Sequence, residues 1–476
     1  MKYKRGSEFT PVENLTSKSP FSIRNIRLFI AFRIFYNARF YYPVFTILFL
    51  DFGLTLEQFA LLNAIWAATI VLLEVPSGAL ADIIGRRNLL VFTGVIMVVE
   101  IGLLCFIPRG NPTILFTAFL INRILSGTAE AAASGADEAI AYDTLIKEGI
   151  ASDWPRVLER QMRYQSIAFI AAMSLGAAVY DPSLMQHMVD WLGLRIHMTR
   201  DITLRIPLFL TLMMSIGTLV TALRMREIDS VSGEECTKEK GCGKSIIQAF
   251  KLTIDAGKWI FHTPFVLVII VAGLFFDNCI RMIVTLSSQY YRLINLPEAS
   301  FGIIGSLLAV MGMFIPVLAH KMVKNHSLIF NLSVMVLLTL SGLIGMVLVL
   351  PIFGLIPAML VFSVMYLNQF FQSHYLNRVT SSEQRATVLS FKGLSFNLAY
   401  GVIGLLYSFL MAVLRDQAAV TNPILAGVEL ENFVFVRSLG WFPWYFVITL
   451  IAMVLFAWWQ LKKSDEYKRM GLIEEV

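Results

Sequence analysis

Long apolar stretches alternate with short polar connections along most of the chain. Each stretch holds about 20 residues, enough to cross the hydrocarbon core of a bilayer as an α-helix. Helices are required because lipid cannot satisfy the hydrogen-bonding groups of an open strand, and no segment alternates as barrel strands do. The pattern predicts twelve membrane-spanning helices at 28–49, 58–80, 89–107, 113–136, 164–181, 206–224, 264–288, 300–320, 328–350, 352–376, 387–413 and 442–460.

The longest cytoplasmic connection divides the predicted helices six and six. The fold expected is therefore an all-α membrane protein with two halves of six helices each. This connection starts polar and becomes amphipathic toward Trp259, which favours a linker with an interfacial helix over a regulatory or partner-binding loop. The expected segments are a cytoplasmic N-terminal segment 1–27, a bundle 28–224, a cytoplasmic central loop 225–263, a bundle 264–461 and a cytoplasmic tail 462–476.

Composition narrows the class of protein. The chain is 57% hydrophobic and 15% charged, with a mean hydropathy of +0.69. A soluble protein carries about 25% charged residues, so these values exclude a disordered chain and argue against a soluble multidomain enzyme. The net charge of +6 does not indicate nucleic-acid binding, because the basic residues are spread between apolar stretches. Four scattered cysteines do not form a disulfide framework or a zinc pattern.

The distribution of basic residues predicts the orientation in the membrane. Most of the 39 lysines and arginines fall at the two termini, in the central loop and in the even-numbered connections. Connections rich in lysine and arginine stay in the cytoplasm. The sequence thus predicts a multi-pass protein of the plasma membrane, or of the inner membrane in a bacterium, with both termini cytoplasmic. We expect it to act as a monomer within the lipid bilayer.

A short motif follows the second predicted helix, on the basic side. It contains Gly78, Leu80, Asp82, Gly85, Arg86 and Arg87. This spacing resembles the signature of the major facilitator superfamily between helices 2 and 3. Ile83 stands where that family often has a basic residue, and the corresponding loop of the second half, residues 319–324, lacks the Asp and Gly residues.

The resemblance implies a major facilitator fold, in which two bundles surround a central cavity and rock to expose it to either side. It also implies that helices 1, 4, 7 and 10 line the cavity and that the loop acts as a conformational latch. The residues themselves support a latch: a glycine permits close helix packing or a tight turn, and arginines anchor the loop to the inner leaflet. The expected latch residues are Gly78, Asp82, Gly85, Arg86 and Arg87.

Ionisable and amide side chains recur within the predicted helices, where a charge is costly unless it faces a cavity or a partner. Helical spacing aligns several of them on single stripes of helices 1, 4, 7 and 10. We expect a substrate or proton pathway formed by Arg33, Asn37, Arg123, Glu130, Asp137, Asp277, Arg281 and Gln372. Three other ionisable residues are expected outside these stripes, namely Arg39, Glu74 and Glu100.

A structural alternative applies to the same residues. Asp277 and Arg281, one turn apart, could simply neutralise each other as a packed pair, and Arg123 and Glu130 could do likewise. Asp137 lies near the cytoplasmic end of its helix, where a carboxylate is often solvated or part of a latch.

Motifs for catalysis are missing from the sequence. It contains no phosphate-binding Walker loop, no His-Glu metal helix and no Gly-x-Ser-x-Gly elbow. We expect no enzyme activity, no cofactor and no metal site. The predicted function is secondary active transport of a small polar or charged solute, coupled to protons through Glu130, Asp137 or Asp277. The alternatives are a drug efflux antiporter and a non-transporting sensor or assembly partner on the same fold.

Overall fold

A computed structural model describes residues 19–227, 251, 254, 257–379 and 382–462. Those ranges are mainly helical, and no residue within them belongs to a strand. Most of the predicted amphipathic helix of the central loop lies outside the described residues. The helices in chain order are α1 (Arg24–Asn37), α2 (Phe45–Phe52), α3 (Leu56–Ile84), α4 (Arg86–Phe106), α5 (Pro112–Ala133), α6 (Ala136–Glu148), α7 (Trp154–Tyr180), α8 (Pro182–Trp191), α9 (Arg200–Thr203), α10 (Ile206–Arg224), α11 (Pro264–Thr285), α12 (Ser287–Leu293), α13 (Ser300–Asn325), α14 (Leu328–Val347), α15 (Leu355–Val379), α16 (Ser382–Thr421), α17 (Gly427–Leu439) and α18 (Trp441–Lys462).

Ten helices of the described chain are long and apolar enough to cross a membrane, and a bent pair at α7 and α8 raises that number to eleven. The bend between α7 and α8 is 83°. The helix predicted at 28–49 is not among these spans. Pro43 lacks a backbone N–H and cannot continue α1, so the chain makes a short 3-10 turn at Tyr42–Val44 before α2 begins.

A second break interrupts the fourth span. The helix predicted at 113–136 ends at Ala133 and resumes at Ala136 as α6. Gly135 connects the two helices with φ +75°, a left-handed conformation that glycine adopts without strain. The predicted separation of two helices around Pro351 is confirmed, since α14 ends at Val347 and α15 begins at Leu355.

Helices α1–α10 form one half of the molecule and α11–α18 form the other. Small residues let the halves approach closely, as is usual for helix packing in membranes. A Cβ added at Gly404 on α16 would stand 3.2 Å from the Ala64 Cβ on α3. Between α7 and α13, the Ser174 and Ser306 hydroxyls lie 3.2 Å apart.

Consecutive spans run in opposite directions, so their connections alternate between two faces. We call the face at Gly85, Gly149 and Arg226 the basic face, and the face at Asp51, Arg109 and Glu298 the opposite face. The broken first span crosses the interior from one face to the other. Its break at residues 38–44 therefore falls near the middle of the protein, beside the space between the halves.

Candidate transport pathway

A central cavity of about 710 Å³ lies between the two halves. Three arginines and one carboxylate reach its wall: Arg39, Arg123, Arg281 and Glu130. The remaining wall is mainly aromatic and methionine side chains, including Tyr41, Tyr42, Phe45, Trp66, Met162, Phe169, Met173, Tyr291, Phe301, Met313, Met365, Tyr366 and Tyr400. The cavity thus combines fixed positive charge with a large apolar surface.

The break in the first span positions Arg39, which is only 3% exposed. Its Nη1 lies 3.0 Å from Glu100 Oε1, and its guanidinium lies 5.3 Å from the centre of the Tyr36 ring. The expectation that Arg39 points away from the pathway is wrong, because the chain leaves the helical path at Ala38. Two signals in the sequence could have located this pair: Pro43 ends the helix, and Glu100 is an acid in the middle of a span, which requires a partner.

Arg123 on α5 is buried, with 4% exposure, and forms no ion pair with any described carboxylate. Its Nε and Nη2 donate to Asn122 Oδ1 at 3.1 and 2.9 Å. Its guanidinium also lies 5.3 Å from the ring centres of both Phe45 and Phe49. The alternative in which Arg123 and Glu130 neutralise each other is wrong in this structure, since Glu130 Oε2 instead accepts a hydrogen bond from the Tyr36 hydroxyl at 2.8 Å.

A smaller cavity of about 330 Å³ lies between the central cavity and the basic face. Its charged wall consists of Glu74, Glu130, Asp137, Glu138 and Arg33. Arg33 Nε lies 2.7 Å from Asp137 Oδ2, and Arg33 also pairs with Glu138. The turn at residue 135 starts a new helix here, so the two acids occupy its first turn, where the helix dipole favours negative charge.

Glu130 lines both cavities, which makes it the charged group common to the two. Glu74, expected outside the pathway, lines the acidic cavity as well. On the other half, Asn397 completes the wall of the same cavity. The acidic cavity is therefore bounded by both halves.

Asp277 and Arg281 make the contact that their spacing predicts. Arg281 Nη2 lies 2.9 Å from Asp277 Oδ2. Arg281 also donates to Asn397 Oδ1 at 3.2 Å and stands 5.3 Å from the centre of the Tyr400 ring. Of the pair, Arg281 lines the central cavity and Asp277 supports it from within α11.

Two predicted pathway residues are engaged with helix backbone instead. Asn37 Nδ2 donates to the carbonyl of Arg33 at 2.8 Å, within its own helix. Gln372 Nε2 donates to the carbonyl of Ile269 at 2.6 Å, and its amide packs against Gly273. Neither side chain lines the two cavities described above. Both amides satisfy backbone groups, so we assign them to helix packing.

The loop between α3 and α4 is held by one acid from the end of the first half. Glu227 accepts the backbone N–H of Arg86 at 3.1 Å and that of Arg87 at 2.8 Å. Gly85 has φ +90°, and a Cβ there would lie 2.7 Å from Glu227 Oε2. The predicted tight turn at this glycine is therefore present. Because Glu227 sits on the free N–H groups of α4, it caps that helix from outside.

The two arginine side chains of the loop reach different elements. Arg86 pairs with Asp143 on α6, whereas Arg87 donates to the carbonyls of Met225 and Leu223 at 2.8 and 2.9 Å. Gly78 does not serve close packing, because a Cβ there would meet no described atom within 4 Å. The side chain of Asp82 lies outside the described part of the chain.

Polar contacts between the halves concentrate at the opposite face. We call the cluster of Asp51, Tyr180, Arg200, Arg292 and Glu298 the outer gate. Arg292 donates to both oxygens of Asp51, at 2.8 and 2.7 Å, and the Tyr180 hydroxyl donates to the same carboxylate at 2.6 Å. Glu298 accepts from Arg292 at 2.7 Å and also pairs with Arg200.

Burial alone would lower the pKa of Arg292, but the hydrogen bonds and charge of Asp51 outweigh it and raise that pKa. Arg292 therefore stays charged at every working pH. Sequence reasoning missed the outer gate. The available signals were Asp51 at the end of an apolar stretch, and Arg200 and Arg292 in connections that otherwise contain few basic residues. Their pairing depends on how two distant halves meet.

Comparison with known proteins places this geometry in a family. The family model of the Major Facilitator Superfamily matches residues 28–404. No curated protein matches the chain in sequence. The fold is similar to that of a bacterial homologue of the human lysosomal transporter Spinster, solved in an inward-facing and unoccupied conformation, with a TM-score of 0.68 at 14% identity over 94% of this chain and 98% of that one.

Two further solved structures share the fold. The nucleoside transporter NupG gives a TM-score of 0.59 at 14% identity, covering 91% of this chain and 98% of its own. The D-xylose–proton symporter gives 0.55 at 12% identity, covering 89% and 97%. The family match spans most of the chain, and the structural matches span nearly the whole of each partner. The chain belongs to the Major Facilitator Superfamily and is a secondary transporter.

Proposed function

We propose that this transporter moves a small polar or charged solute by alternating access, coupled to protons. The observation that carries the proposal is the position of Glu130. It lies at the junction of a central cavity, walled by both halves, and an acidic cavity that leads toward the basic face. A solute in the first cavity and a proton in the second would both act on this one carboxylate.

The acidic cavity supports the proton part of the proposal. Glu74, Glu130, Asp137 and Glu138 face it with Arg33 as their only described basic neighbour in its wall. Like charges that share a site favour the binding of a proton by one of them. The Tyr36 hydroxyl bonded to Glu130 links that carboxylate to the ring that stacks on Arg39, so a proton on Glu130 would change the charge next to the solute cavity.

The outer gate supports the alternating-access part. It joins the halves at the opposite face, while the acidic cavity lies at the other end of the pathway. We propose that the basic face is cytoplasmic, that both termini lie there, and that this conformation is closed to the outside of the plasma membrane. Cysteine labelling from outside sealed cells should then reach positions near Arg195 and Arg437 and miss positions near Arg86 and Lys240.

The loop of Gly85, Arg86 and Arg87 supports a latch. Through Glu227 and Asp143 it binds the start of α4 to α6 and to the end of α10. We propose that these contacts hold the basic-face end of the first half together as it moves. We propose that Asp82 belongs to the same latch.

A transport assay tests this function. The purified protein is placed in liposomes that contain a pH-sensitive dye, and labelled sugars, amino acids, nucleosides and organic acids are added outside. We expect one class to accumulate together with protons. Glu130→Gln should retain binding of that solute and stop the proton signal. The matched control is Glu159→Gln, which alters a surface carboxylate that is 69% exposed and that pairs, among the described residues, only with Arg163 of its own helix.

Four outcomes would contradict the proposal. Accumulation without proton movement would remove the coupling, and unchanged coupling in Glu130→Gln would remove this residue from the pathway. Binding of a solute without any transport would favour the non-transporting sensor. Exchange of an apolar cation for protons would favour a drug efflux antiporter instead.

A further inference from the structure

The charge in the central cavity is distributed unevenly. Each of Arg39 and Arg281 has a carboxylate partner behind it, Glu100 at 3.0 Å and Asp277 at 2.9 Å. Arg123 has no such partner among the described residues, although only 4% of it is exposed. A buried cation without an anion is unfavourable unless something else supplies the negative charge.

The nearest candidates within the protein do not fill that place. Glu130 lines both cavities, but its carboxylate accepts a hydrogen bond from the Tyr36 hydroxyl and forms no ion pair with Arg123. Glu100 influences Arg123 electrostatically, but its carboxylate forms its ion pair with Arg39. Asn122 takes two of the five N–H groups of the Arg123 guanidinium and carries no charge. The remaining N–H groups are available to an acceptor that enters from the cavity.

A guanidinium binds a carboxylate or phosphate group through two parallel hydrogen bonds, which is the strongest arrangement open to it. The rings of Phe45 and Phe49 hold the Arg123 guanidinium at 5.3 Å from each centre, and Asn122 fixes its plane. The group is thus preorganised for one anion, and little side-chain freedom is lost when that anion binds.

The rest of the cavity favours an organic solute over a bare inorganic anion. Its volume of about 710 Å³ falls in the range of sites for drug-sized ligands. Trp66, Tyr291, Phe301, Tyr366 and Tyr400 contribute apolar and aromatic surface to it from both halves. Such surface gains most from contact with an apolar body. The wall carries three arginines against one carboxylate, Glu130, which disfavours a cationic solute.

We propose that the substrate is an amphipathic organic anion, with its acidic group on Arg123 and its apolar body among these aromatic side chains. This inference rests on the central cavity being the solute site of the proposed function, and it names the chemical class of that solute. Its test uses binding rather than transport, so that the two proposals can fail separately.

The probes are three molecules with one body and different head groups: phenylbutyrate, phenylbutylamine and phenylbutanol. Acetate and inorganic phosphate serve as anions that lack the body. Binding to the purified protein in detergent is measured by titration calorimetry. We expect phenylbutyrate to bind at least about 10-fold more tightly than the amine, the alcohol or either small anion. The alcohol also controls for partition into the detergent micelle.

Variants test whether Arg123 is responsible for the preference for the acid. Arg123→Gln should lower the affinity for phenylbutyrate at least about 10-fold and leave the affinity for phenylbutanol unchanged. Arg123→Lys should retain part of the preference for the acid. Arg163→Gln is the matched control, because it removes an arginine that is 68% exposed on α7. Since Arg123 has no described ion-pair partner, Arg123→Gln should unfold at a temperature no lower than the parent does.

Equal affinity for the acid, the amine and the alcohol would overturn the proposal, as would phenylbutyrate binding that survives Arg123→Gln. If phosphate binds as tightly as phenylbutyrate, the apolar body contributes nothing to recognition, and the proposal of an amphipathic solute is wrong. Acid-specific binding that depends on Arg123, without any transport in liposomes, would uphold this inference and reject the proposed function. Transport of a neutral solute in liposomes would uphold the proposed function and reject this inference.

Discussion

The outer gate offers a direct test of which contacts hold this conformation closed. Asp51 accepts both hydrogen bonds from Arg292 of the other half, and its side chain is 12% exposed. Asp51→Asn keeps the shape of the side chain and removes its charge. The perturbation therefore weakens a contact that exists only while the halves are together at the opposite face.

The expected magnitude follows from those two bonds. A hydrogen bond to a charged group contributes about 1.5–3 kcal/mol. Asparagine retains one acceptor oxygen, and Glu298 still holds Arg292 at 2.7 Å, so we expect a net loss of roughly 2 kcal/mol from the closed state. At about 1.4 kcal/mol per factor of ten, the ratio of closed to open molecules should fall about 30-fold. A ratio of about 99:1 would become roughly 3:1.

Distances between spin labels can measure this shift. Trp191 and Ile424 are 85% and 94% exposed and lie at the opposite face on different halves, so labelled cysteines there should not disturb packing. We expect Asp51→Asn to add a longer distance to the distribution. Asp201→Asn is the matched control, because Asp201 lies on the same face and pairs with Arg109 of its own half.

An unchanged distance distribution in Asp51→Asn would refute this reasoning. It would mean that apolar packing at the opposite face, and not the ion pairs, sets the balance between the two states. An equal shift in Asp201→Asn would likewise show that the effect comes from surface charge in general.

Three further predictions concern other contacts. Arg39→Gln should lower the free energy of unfolding by about 3–5 kcal/mol, because it leaves Glu100 buried and unpaired, and adding Glu100→Gln should recover most of that loss in a denaturation assay. Gly85→Ala should destabilise the protein by about 1–3 kcal/mol, measured by thermal unfolding, since its φ of +90° and the nearby Glu227 both oppose a side chain. The double variant Asp277→Asn, Arg281→Gln should regain the stability lost by either single change yet remain inactive in uptake assays, with the normal pH dependence absent.

Controls for these predictions are available in the same chain. Gly110→Ala places a side chain at φ +107° with no described atom within 4 Å, so it separates backbone strain from the contact with Glu227. Equal losses at both glycines would assign the whole effect to the backbone. Wild-type uptake by the helix α11 double variant across pH 5–8 would make that pair purely structural.

The helices could be predicted well because their length is imposed by the bilayer rather than by their neighbours. The breaks within the predicted helices were harder to predict. Pro43 signals the end of α1. The path of residues 38–44 and the direction of Arg39, however, depend on the position of Glu100 on α4. Periodicity cannot supply this relation when a helix is apolar on most sides.

The same distinction applies to the site. The contact of Asp277 with Arg281 follows from their spacing on one helix, and the structure contains it. The pairing of Arg33 with Asp137, 104 residues away, depends on tertiary packing. Gln372 shows the converse case, since a polar side chain in a span can satisfy a backbone carbonyl instead of facing the cavity.

Each half supplies one acid and one base to the outer gate. Asp51 lies 3.6 Å from Arg200 on the first half, and Glu298 lies 2.7 Å from Arg292 on the second. When the halves separate, each can therefore keep a neutral pair of its own. A membrane potential acts on a moving charge with about 2.3 kcal/mol per 100 mV, but two electrically neutral patches carry no net charge through that field. Opening of this gate should thus be insensitive to voltage, and any voltage dependence of transport should come from the solute and the proton.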